Sequence, residues 1–285
     1  MIVSGAARIA GVMGWPVDHS LSPQLHNYWL NLYGIDGAYV PMAVRPERLE
    51  DALRALPALG FAGVNLTVPH KEAALEIVDV SDDAAKRIGA VNTVVVRADG
   101  SIEGRNTDGY GFLQSVRDGA PQWRAGDRPV TLIGAGGAAR AVCVALQDAG
   151  VPEIRVVNRT AKRADRLAEE FGSPMISVPW AQRTESLDGV SLLVNATVLG
   201  MGGHPSLDLD LDLLPQSAVV TDIVYAPLKT ALLRDAETRN NRIVDGLGML
   251  LHQARPAFAA WFGRDPDITP ALRTHMLNQG ENPYG

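Results

Sequence analysis

The chain has 285 residues, of which 46% are hydrophobic and 20% charged, and its formal net charge is −6 at pH 7. This length favours two compact domains, and the composition is typical of a globular protein rather than a disordered or fibrous one. The negative charge argues against a nucleic-acid partner. No segment is apolar over the length that spans a bilayer, and Arg8 and Asp18 interrupt any signal-peptide core, so we expect no membrane partner.

Predicted strands alternate with predicted helices over the first hundred residues. The strands cover 7–13, 39–44 and 63–68, and the helices begin at Ser22-Pro23 and cover 46–56 and 71–78. Asp99-Gly100 is a hairpin-type turn between predicted strands at 91–97 and 101–103, which predicts a short antiparallel ribbon. The alternation as a whole indicates a mostly parallel sheet with helices on both faces.

A domain boundary is predicted within 108–128, where a helix through Phe112 and Val116 runs into a segment rich in glycine and proline. The second half again alternates strands and helices. Its later strands are expected at 191–194, 218–223 and 242–244. A long helix over 249–262 follows, and it could pack back on the first domain.

A glycine turn lies between an apolar strand that begins at Val130 and a helix of small residues. In a G-x-G-x-x-G/A pattern the first glycine allows a tight turn, the second lets the backbone approach a pyrophosphate, and the third residue lets helix pack on strand. Gly134, Gly136 and Ala139 occupy these places. We therefore predict an α/β protein with a Rossmann nucleotide-binding domain at 109–245. A three-layer substrate-binding and catalytic domain at 1–108 plus 246–285 is expected across a cleft from it.

The next predicted strand, 154–157, ends at Asn158-Arg159 rather than at the acidic residue that usually binds the ribose of NAD. Lys162 and Arg163 follow within one helical turn. A bound 2′-phosphate would meet positive charge here, whereas NAD would find no carboxylate partner. The cofactor is therefore predicted to be NADP.

Cys143 is the single cysteine, so the chain forms no internal disulfide. Its apolar helical surroundings predict a buried, unreactive thiol, and this cysteine usage favours a cytoplasmic location. The five tryptophans suit a core or an interface equally well, which leaves monomer and homodimer both open.

Polar residues of the first domain cluster in loops at predicted strand ends, where ligands bind in open α/β sheets. The loops are 18–23, 65–71 and 106–108. Hydride transfer to a carbonyl needs a proton source for the developing alkoxide, and this domain must supply it. The six histidines show no metal-ligand spacing, so no metal is expected.

These segments resemble the shikimate dehydrogenase family. The matching segments are 14–27, 63–71, 89–93, 104–109, the glycine turn with Asn158-Arg159-Thr160, 222–230 and 245–254. The resemblance spans nearly the whole chain and implies NADPH-dependent reduction of 3-dehydroshikimate to shikimate in aromatic amino acid biosynthesis. It also implies that Lys71 and Asp108 are the catalytic pair. A lysine ammonium suits the protonation of an alkoxide, but burial and a neighbouring carboxylate shift its pKa in opposite directions.

The resemblance further assigns the contacts of both ligands. Ser20 and Ser22 are expected to bind the substrate carboxylate, although Ser22 suits a helix N-cap equally well. The substrate hydroxyls are assigned to Asn65, Thr67, Asn92 and Gln253. Tyr225 is either a residue near substrate and nicotinamide or a buried tyrosine bonded to the backbone. The expected cofactor contacts are Gly134, Ala135, Gly136, Gly137, Ala138, Asn158, Arg159, Thr160, Arg163, Thr197, Ile223 and Gly246.

Two positions depart from the family pattern. Val198 stands where a small residue or proline is common, and Asp245 stands where many members have asparagine. A dehydrogenase of the same fold that prefers quinate, or uses both acids, is the main alternative. A methylenetetrahydrofolate dehydrogenase fits less well, and a non-catalytic ligand sensor is disfavoured because Lys71 and Asp108 are both present.

Overall fold

The computed structural model describes residues 3–280, and it separates into two compact units. The first unit is Met1–Thr107 with Gln253–Gly285, and the second is Asp108–His252. The predicted α/β class with two domains is confirmed. The second unit ends at His252, inside the helix predicted from residue 249, rather than at residue 245. The assignment of functions to 1–108 plus 246–285 and to 109–245 stays a prediction, and its residues 1–2 and 281–285 lie outside the described range.

The first unit is built on a six-stranded mixed sheet with the order β2-β1-β3-β5-β6-β4. The strands are β1 (Arg8–Gly14), β2 (Gly37–Ala43), β3 (Phe61–Leu66), β4 (Val80–Ser81), β5 (Thr93–Val96) and β6 (Ile102–Arg105). β1 pairs in parallel with β2 and β3, whereas β5 pairs antiparallel with β3 and β6. The predicted antiparallel ribbon is confirmed, and it extends the sheet beyond β3.

The first helices of this unit are shorter than the hydrophobic pattern predicts. They are α1 (Ser22–Leu32), α2 (Leu49–Ala55) and α3 (Asp83–Ile88), with 3₁₀ turns at Pro46–Arg48 and Ala73–Glu76. The helix predicted over 71–78 is wrong, since only the 3₁₀ turn forms there. The chain must leave the helical path early because Asp79 accepts a hydrogen bond from the Ile102 amide and β4 pairs with β6 directly afterwards.

The second unit is a fully parallel six-stranded sheet with the order β12-β11-β10-β7-β8-β9. Its strands are β7 (Val130–Ile133), β8 (Ile154–Val157), β9 (Met175–Val178), β10 (Leu192–Asn195), β11 (Val219–Asp222) and β12 (Arg242–Val244). Its helices are α4 (Asp108–Gly119), α5 (Gly137–Asp148), α6 (Ala161–Phe171) and α7 (Ala231–Thr238). The strands after β7 are added first on one side of it, as β8 and β9, and then on its other side, as β10, β11 and β12. This is the strand order of a doubly wound nucleotide-binding fold.

Both faces of this sheet are buried, as all-parallel sheets require. Val130 and Leu132 of β7 contribute to one core with α4 and α5, and Ile133 contributes to the opposite core with α7. Cys143 of α5 is fully buried, and burial raises the pKa of its thiol. The predicted burial of Cys143 is therefore confirmed, and the raised pKa agrees with an unreactive thiol.

Two helices complete the chain, α8 (Gly246–Phe262) and α9 (Pro270–Gly280). The C-terminal part of α8 belongs to the first unit, where the Trp261 indole nitrogen donates to the Val94 carbonyl at 2.9 Å. A Cβ at Gly63 would overlap that indole, so this strand position accepts only glycine. Met13 and Val64 belong to the core on which α2 and α3 pack, so the first sheet has helical layers on both faces.

Candidate active site

The strand ends of β1 and β3 bring two predicted substrate loops together. The two strands run parallel, so their carboxyl ends lie at one edge of the sheet. The Thr67 amide donates to the Met13 carbonyl at 3.0 Å, and the Trp15 amide donates to the Val68 carbonyl at 3.1 Å. A Cβ on Gly14 would lie 2.5 Å from the Thr67 methyl group, so glycine permits this close approach.

The two serines assigned to the substrate carboxylate lie at the start of α1. The Ser22 amide donates to the Ser20 hydroxyl oxygen at 3.4 Å. The N-cap residue is Leu21, and no side chain caps this helix. The interpretation of Ser22 as the N-cap is therefore wrong, because the helix begins at Ser22 itself.

Asn65, at the end of β3, has bonds on both ends of its amide. Its Oδ1 accepts from the Tyr39 hydroxyl at 2.7 Å, and its Nδ2 donates to the Asn92 carbonyl and the Thr93 hydroxyl, each at 3.1 Å. All four residues are buried. The amide orientation is thus determined by three partners.

Asn92 extends the same set of bonds towards α8. Its Nδ2 donates to the Thr107 hydroxyl at 2.9 Å and to Gln253 Oε1 at 3.3 Å, while its Oδ1 accepts from the Thr107 amide at 2.9 Å. The Thr107 hydroxyl also bonds the Gln253 carbonyl at 2.9 Å. The structure therefore joins three predicted substrate residues through groups of this one unit. We call the connected set the substrate-side network: Tyr39, Asn65, Asn92, Thr93, Thr107 and Gln253.

Lys71 and Asp108, the predicted catalytic pair, belong to different units. Lys71 is half-buried in the loop after β3, and its carbonyl accepts from the Val91 amide at 2.7 Å. The neighbouring His70 ring bonds the Val44 carbonyl at 2.8 Å, which fixes the loop on the lysine's N-terminal side. Asp108 is buried at the first position of α4, directly after Thr107 of the network.

The glycine turn of the second unit fits a diphosphate. Gly134 has φ +118°, a conformation that L side chains rarely adopt. Gly136 is the N-cap of α5, no side chain caps that helix, and a Cβ there would meet nothing within 4 Å. Open space therefore lies beside an uncapped helix N-terminus, the arrangement that backbone amides use to bind phosphate.

The segment after β8 presents positive charge in the place predicted for a 2′-phosphate. Arg159, Lys162 and Arg163 are all exposed at the start of α6, and within residues 3–280 none of them forms an ion pair. Asn158 donates from Nδ2 to the Thr160 carbonyl at 2.9 Å, which fixes the turn into the helix. These cations are available for a phosphate group.

A second buried polar cluster connects the ends of β10 and β11. Asn195 Nδ2 lies 3.1 Å from each oxygen of Asp222, and Thr230 Oγ1 donates to Asp222 Oδ2 at 2.7 Å. The Val224 amide donates to Asp222 Oδ1 at 3.0 Å, and Asn195 Oδ1 accepts from the Thr197 hydroxyl at 2.8 Å. Burial raises the pKa of Asp222, although the hydrogen bonds oppose the shift. We call Asn195, Thr197, Asp222, Val224 and Thr230 the cofactor-side network.

The remaining predicted cofactor residues lie around this network. Gly246 has no room for a Cβ, which would overlap the Ile223 carbonyl. Tyr225 is half-buried, and burial alone raises its pKa, with no hydrogen bond contributing. Within residues 3–280, the alternative of a tyrosine hydroxyl bonded to the backbone is thus not supported.

The two departures from the family pattern have simple local environments. Val198 is 52% exposed in the loop after β10. Asp245 accepts from the Leu247 amide at 3.2 Å, next to the first residue of α8. The side-chain oxygen of asparagine can accept the same hydrogen bond at a helix start.

The sequence analysis missed several residues that determine the position of the predicted ones. These residues are Tyr39, Thr93, Thr107, Asn195, Asp222 and Thr230. Four of them, Thr93, Thr107, Asp222 and Thr230, lie inside the matched segments 89–93, 104–109 and 222–230, which is a signal that could have found them. Tyr39 lies in a strand with no such marker and could only be found from the fold.

Residues 3–280 contain no cluster of three or more His, Cys, Asp or Glu side chains placed to hold a metal ion. Within the same range, no helix is both long enough and apolar enough to cross a membrane.

The site and the fold together define a two-domain nucleotide-dependent dehydrogenase. The chain matches the models for the shikimate dehydrogenase substrate binding domain at 12–94, shikimate/quinate 5-dehydrogenase at 121–199, and the shikimate 5′-dehydrogenase C-terminal domain at 246–274. It is 60% identical to the shikimate dehydrogenase (NADP(+)) of Paramagnetospirillum magneticum over 97% of this chain and 100% of the relative. The chain belongs to the shikimate dehydrogenase family, as the sequence resemblance predicts.

Solved structures agree with this family. The shikimate 5-dehydrogenase of Thermus thermophilus, in complex with NADP(H) and shikimate, is 39% identical with a TM-score of 0.84, covering 97% of this chain and 99% of that one. The quinate dehydrogenase of Corynebacterium glutamicum, in complex with NAD, is 32% identical with a TM-score of 0.88, covering 95% and 99%.

Proposed function

We propose that this chain catalyses the reversible, NADP-dependent interconversion of 3-dehydroshikimate and shikimate, a step of aromatic amino acid biosynthesis. The observation that carries the proposal is the substrate-side network, which buries amides and hydroxyls at the loops where a ligand would bind. A small polyhydroxylated acid has little apolar surface, so directed hydrogen bonds must supply its recognition. Shikimate and NADP(H) are the ligands named for the Thermus thermophilus relative.

The substrate carboxylate is assigned to Ser20 and Ser22. Both lie at the N-terminus of α1, an 11-residue helix without a side-chain cap, and the partial positive charge of a helix N-terminus favours an anion. The substrate hydroxyls are assigned to Asn65, Thr67, Asn92 and Gln253, with Tyr225 near both ligands. An analogue that lacks one of these hydroxyls would leave a hydrogen-bonding site of the protein unfilled, which would disfavour its binding.

Lys71 is the proposed proton carrier. NADPH, when bound, supplies the hydride that reduces the ketone. The Lys71 ammonium stabilises the negative charge that develops on the substrate oxygen and donates a proton to it, and the neutral amine accepts that proton in the oxidative direction. Asp108 is proposed as its acidic partner, since a carboxylate favours the charged form of lysine.

The second unit is proposed to bind NADP. The backbone of Gly134, Ala135, Gly136, Gly137 and Ala138 is assigned to the diphosphate because the turn leaves open space at an uncapped helix N-terminus. Asn158, Arg159, Thr160 and Arg163 are assigned to the adenosine 2′-phosphate side. Thr197, Ile223 and Gly246 are assigned to the nicotinamide side. The exposed cations of α6 favour NADP over NAD.

A quinate or dual-specificity dehydrogenase is the second candidate. A quinate dehydrogenase bound to NAD shares the fold with a TM-score of 0.88, the same score as a shikimate dehydrogenase in complex with NADP⁺, so the fold is compatible with both candidates. The cations at 159–163 favour the shikimate enzyme through its cofactor. We also propose a cytoplasmic location, since the single cysteine is a free, buried thiol.

The test is the initial rate of nicotinamide reduction by the purified protein with shikimate or quinate, each combined with NADP⁺ or NAD⁺. A rate confined to shikimate with NADP⁺ is expected. Turnover of quinate, or equal use of NAD⁺, would favour the second candidate. Binding of shikimate without turnover in any combination would instead indicate a ligand sensor.

A further inference from the structure

Tyr39 is the member of the substrate-side network that bonds the side-chain oxygen of Asn65. Its hydroxyl donates to Asn65 Oδ1 at 2.7 Å, and the tyrosine is only 2% exposed. Asn65 is assigned to a substrate hydroxyl. One buried phenol group therefore bonds directly to a predicted substrate residue.

The hydrogen bonds of Asn65 leave one acceptor site of its side chain for a ligand. Its two amide hydrogens are directed to the Asn92 carbonyl and the Thr93 hydroxyl, and Tyr39 occupies one acceptor site of Oδ1. An amide oxygen accepts two hydrogen bonds, so the second site of Oδ1 remains for a substrate hydroxyl. Without the Tyr39 hydroxyl, the side-chain oxygen of Asn65 loses the donor that orients it.

Aromatic packing holds Tyr39 in place. The His26 ring lies parallel to it, with centroids 4.1 Å apart and planes within 2°, and the Trp261 ring centroid is 5.9 Å away. Burial lowers the pKa of His26 to about 3, and neither of its ring nitrogens has a hydrogen-bond partner within residues 3–280. The stack is therefore one of neutral rings, which fixes the phenol without competing for its hydroxyl.

We infer that Tyr39 is a positioning residue for the substrate: its hydroxyl orients Asn65 so that Oδ1 accepts a hydrogen bond from a substrate hydroxyl. The inference rests on the proposed function, because it deepens the role assigned to Asn65. Tyr39 acts through Asn65, and it carries no proton or hydride.

Tyr39→Phe tests this inference, because it keeps the ring stack and removes only the hydroxyl. We expect the KM for shikimate to rise about fivefold, the size of one lost hydrogen bond, with the KM for NADP⁺ unchanged. In an Asn65→Ala background the same change should leave the KM for shikimate unaltered, since Tyr39 acts through Asn65. A purely structural role would lower the melting temperature without this selective change.

Tyr33→Phe is the matched control. It removes a tyrosine hydroxyl that accepts from the Asp267 amide at 3.0 Å, outside the substrate-side network. Both KM values should remain those of the wild-type enzyme.

Thr93→Val provides a second route if Tyr39→Phe fails to fold. It removes one acceptor of the Asn65 amide and a donor to Asn92 Oδ1, so the KM for shikimate should again rise selectively, and the part that acts through Asn65 should disappear in the Asn65→Ala background. An unchanged KM for shikimate in either folded variant, in an enzyme that oxidises shikimate, would overturn the inference alone. Absence of shikimate turnover in the wild-type enzyme would overturn the proposed function and this inference with it.

Discussion

The two units bury their polar groups in chemically opposite ways. The substrate-side network of the first unit consists of amides and hydroxyls, and the His26 ring stacked against it is neutral, its pKa lowered by burial to about 3. The cofactor-side network of the second unit is built around a carboxylate, Asp222, whose pKa burial raises. A neutral network suits a substrate recognised through its hydroxyls, whereas a carboxylate with several donors can fix two strand-end loops at once.

Because burial shifts the pKa values of His26 and Asp222 in opposite directions, acid should change the stability contributions of the two groups in opposite directions. His26 has a folded-state pKa below its ordinary value of 6.5, so its contribution to stability is present above pH 6.5 and is lost as pH falls towards 3. Asp222 has a folded-state pKa above its ordinary value of 3.8. Its contribution is present below pH 3.8 and is lost as pH rises through the raised pKa. Changes to each network should therefore be separable by pH.

The largest effect is expected from Lys71→Ala. This substitution tests whether catalysis depends on the first unit and cofactor binding on the second. Loss of a positioned proton donor should lower kcat by roughly 10²–10⁴-fold. The affinity for NADP⁺, measured by fluorescence titration, should be unchanged because the cofactor residues lie in the other unit. Lys86→Ala, which removes an exposed lysine 4.0 Å from Asp83, is the control. A kcat equal to that of the wild-type enzyme would remove Lys71 from the mechanism.

His26→Phe tests the acid response of the first unit. The substitution keeps an aromatic ring on Tyr39 and removes a group that must be protonated on unfolding at low pH. The wild-type free energy of unfolding should fall between pH 6.5 and 3 by up to about 1.4 kcal/mol per pH unit more than that of the variant. Chemical denaturation across this range measures the difference. His275→Phe, at a half-exposed site of the same unit, is the control, and parallel pH curves for wild type and His26→Phe would refute the assignment.

Much of the fold could be predicted from the sequence because its signals are local. The apolar run at 130–133, the glycine turn after it and the Asp99-Gly100 hairpin turn each encode a shape within a few residues. The helix predicted over 71–78 failed because a tertiary contact decides it, namely the pairing of β4 with β6. The spacing of hydrophobic residues in the sequence gives no information about this competition between helix formation and strand pairing.

The candidate site shows the same limit. Residues such as Lys71 and Asn92 lie in polar segments that stand out from an apolar background. Tyr39 does not, since a tyrosine in a strand has many ordinary roles. Asp222 begins the matched segment 222–230, but an aspartate at a strand end also has many ordinary roles. Their importance comes from partners such as Asn65 and Asn195, which are distant in sequence and meet only when the sheets form.

Arg159→Ala addresses the cofactor unit without touching either buried network. Removal of an exposed cation that bonds a phosphate should raise the KM for NADP⁺ about tenfold and leave the KM for NAD⁺ unchanged. Arg166→Ala, an exposed arginine further along α6, is the matched control. An equal rise in the KM values for NADP⁺ and NAD⁺ would show that Arg159 does not bind the 2′-phosphate.

The smallest effect is expected from Asp222→Asn, which makes the second network neutral like the first. The asparagine side chain keeps an oxygen that can accept from the backbone amide of Val224. Its NH₂ group, however, is a donor at a position where the wild-type carboxylate accepts hydrogen bonds from Asn195 and Thr230. We expect a loss of about 1 kcal/mol in the free energy of unfolding near neutral pH. The deficit relative to the wild type should grow as pH falls through the raised pKa of Asp222, since the wild type then gains a stabilising proton that the amide cannot bind.

Asp235→Asn, at an exposed position of α7, should show neither the deficit nor its pH dependence. A deficit that is constant with pH would mean that Asp222 matters only through its hydrogen bonds, and the contrast between the two units would then be one of geometry rather than of charge.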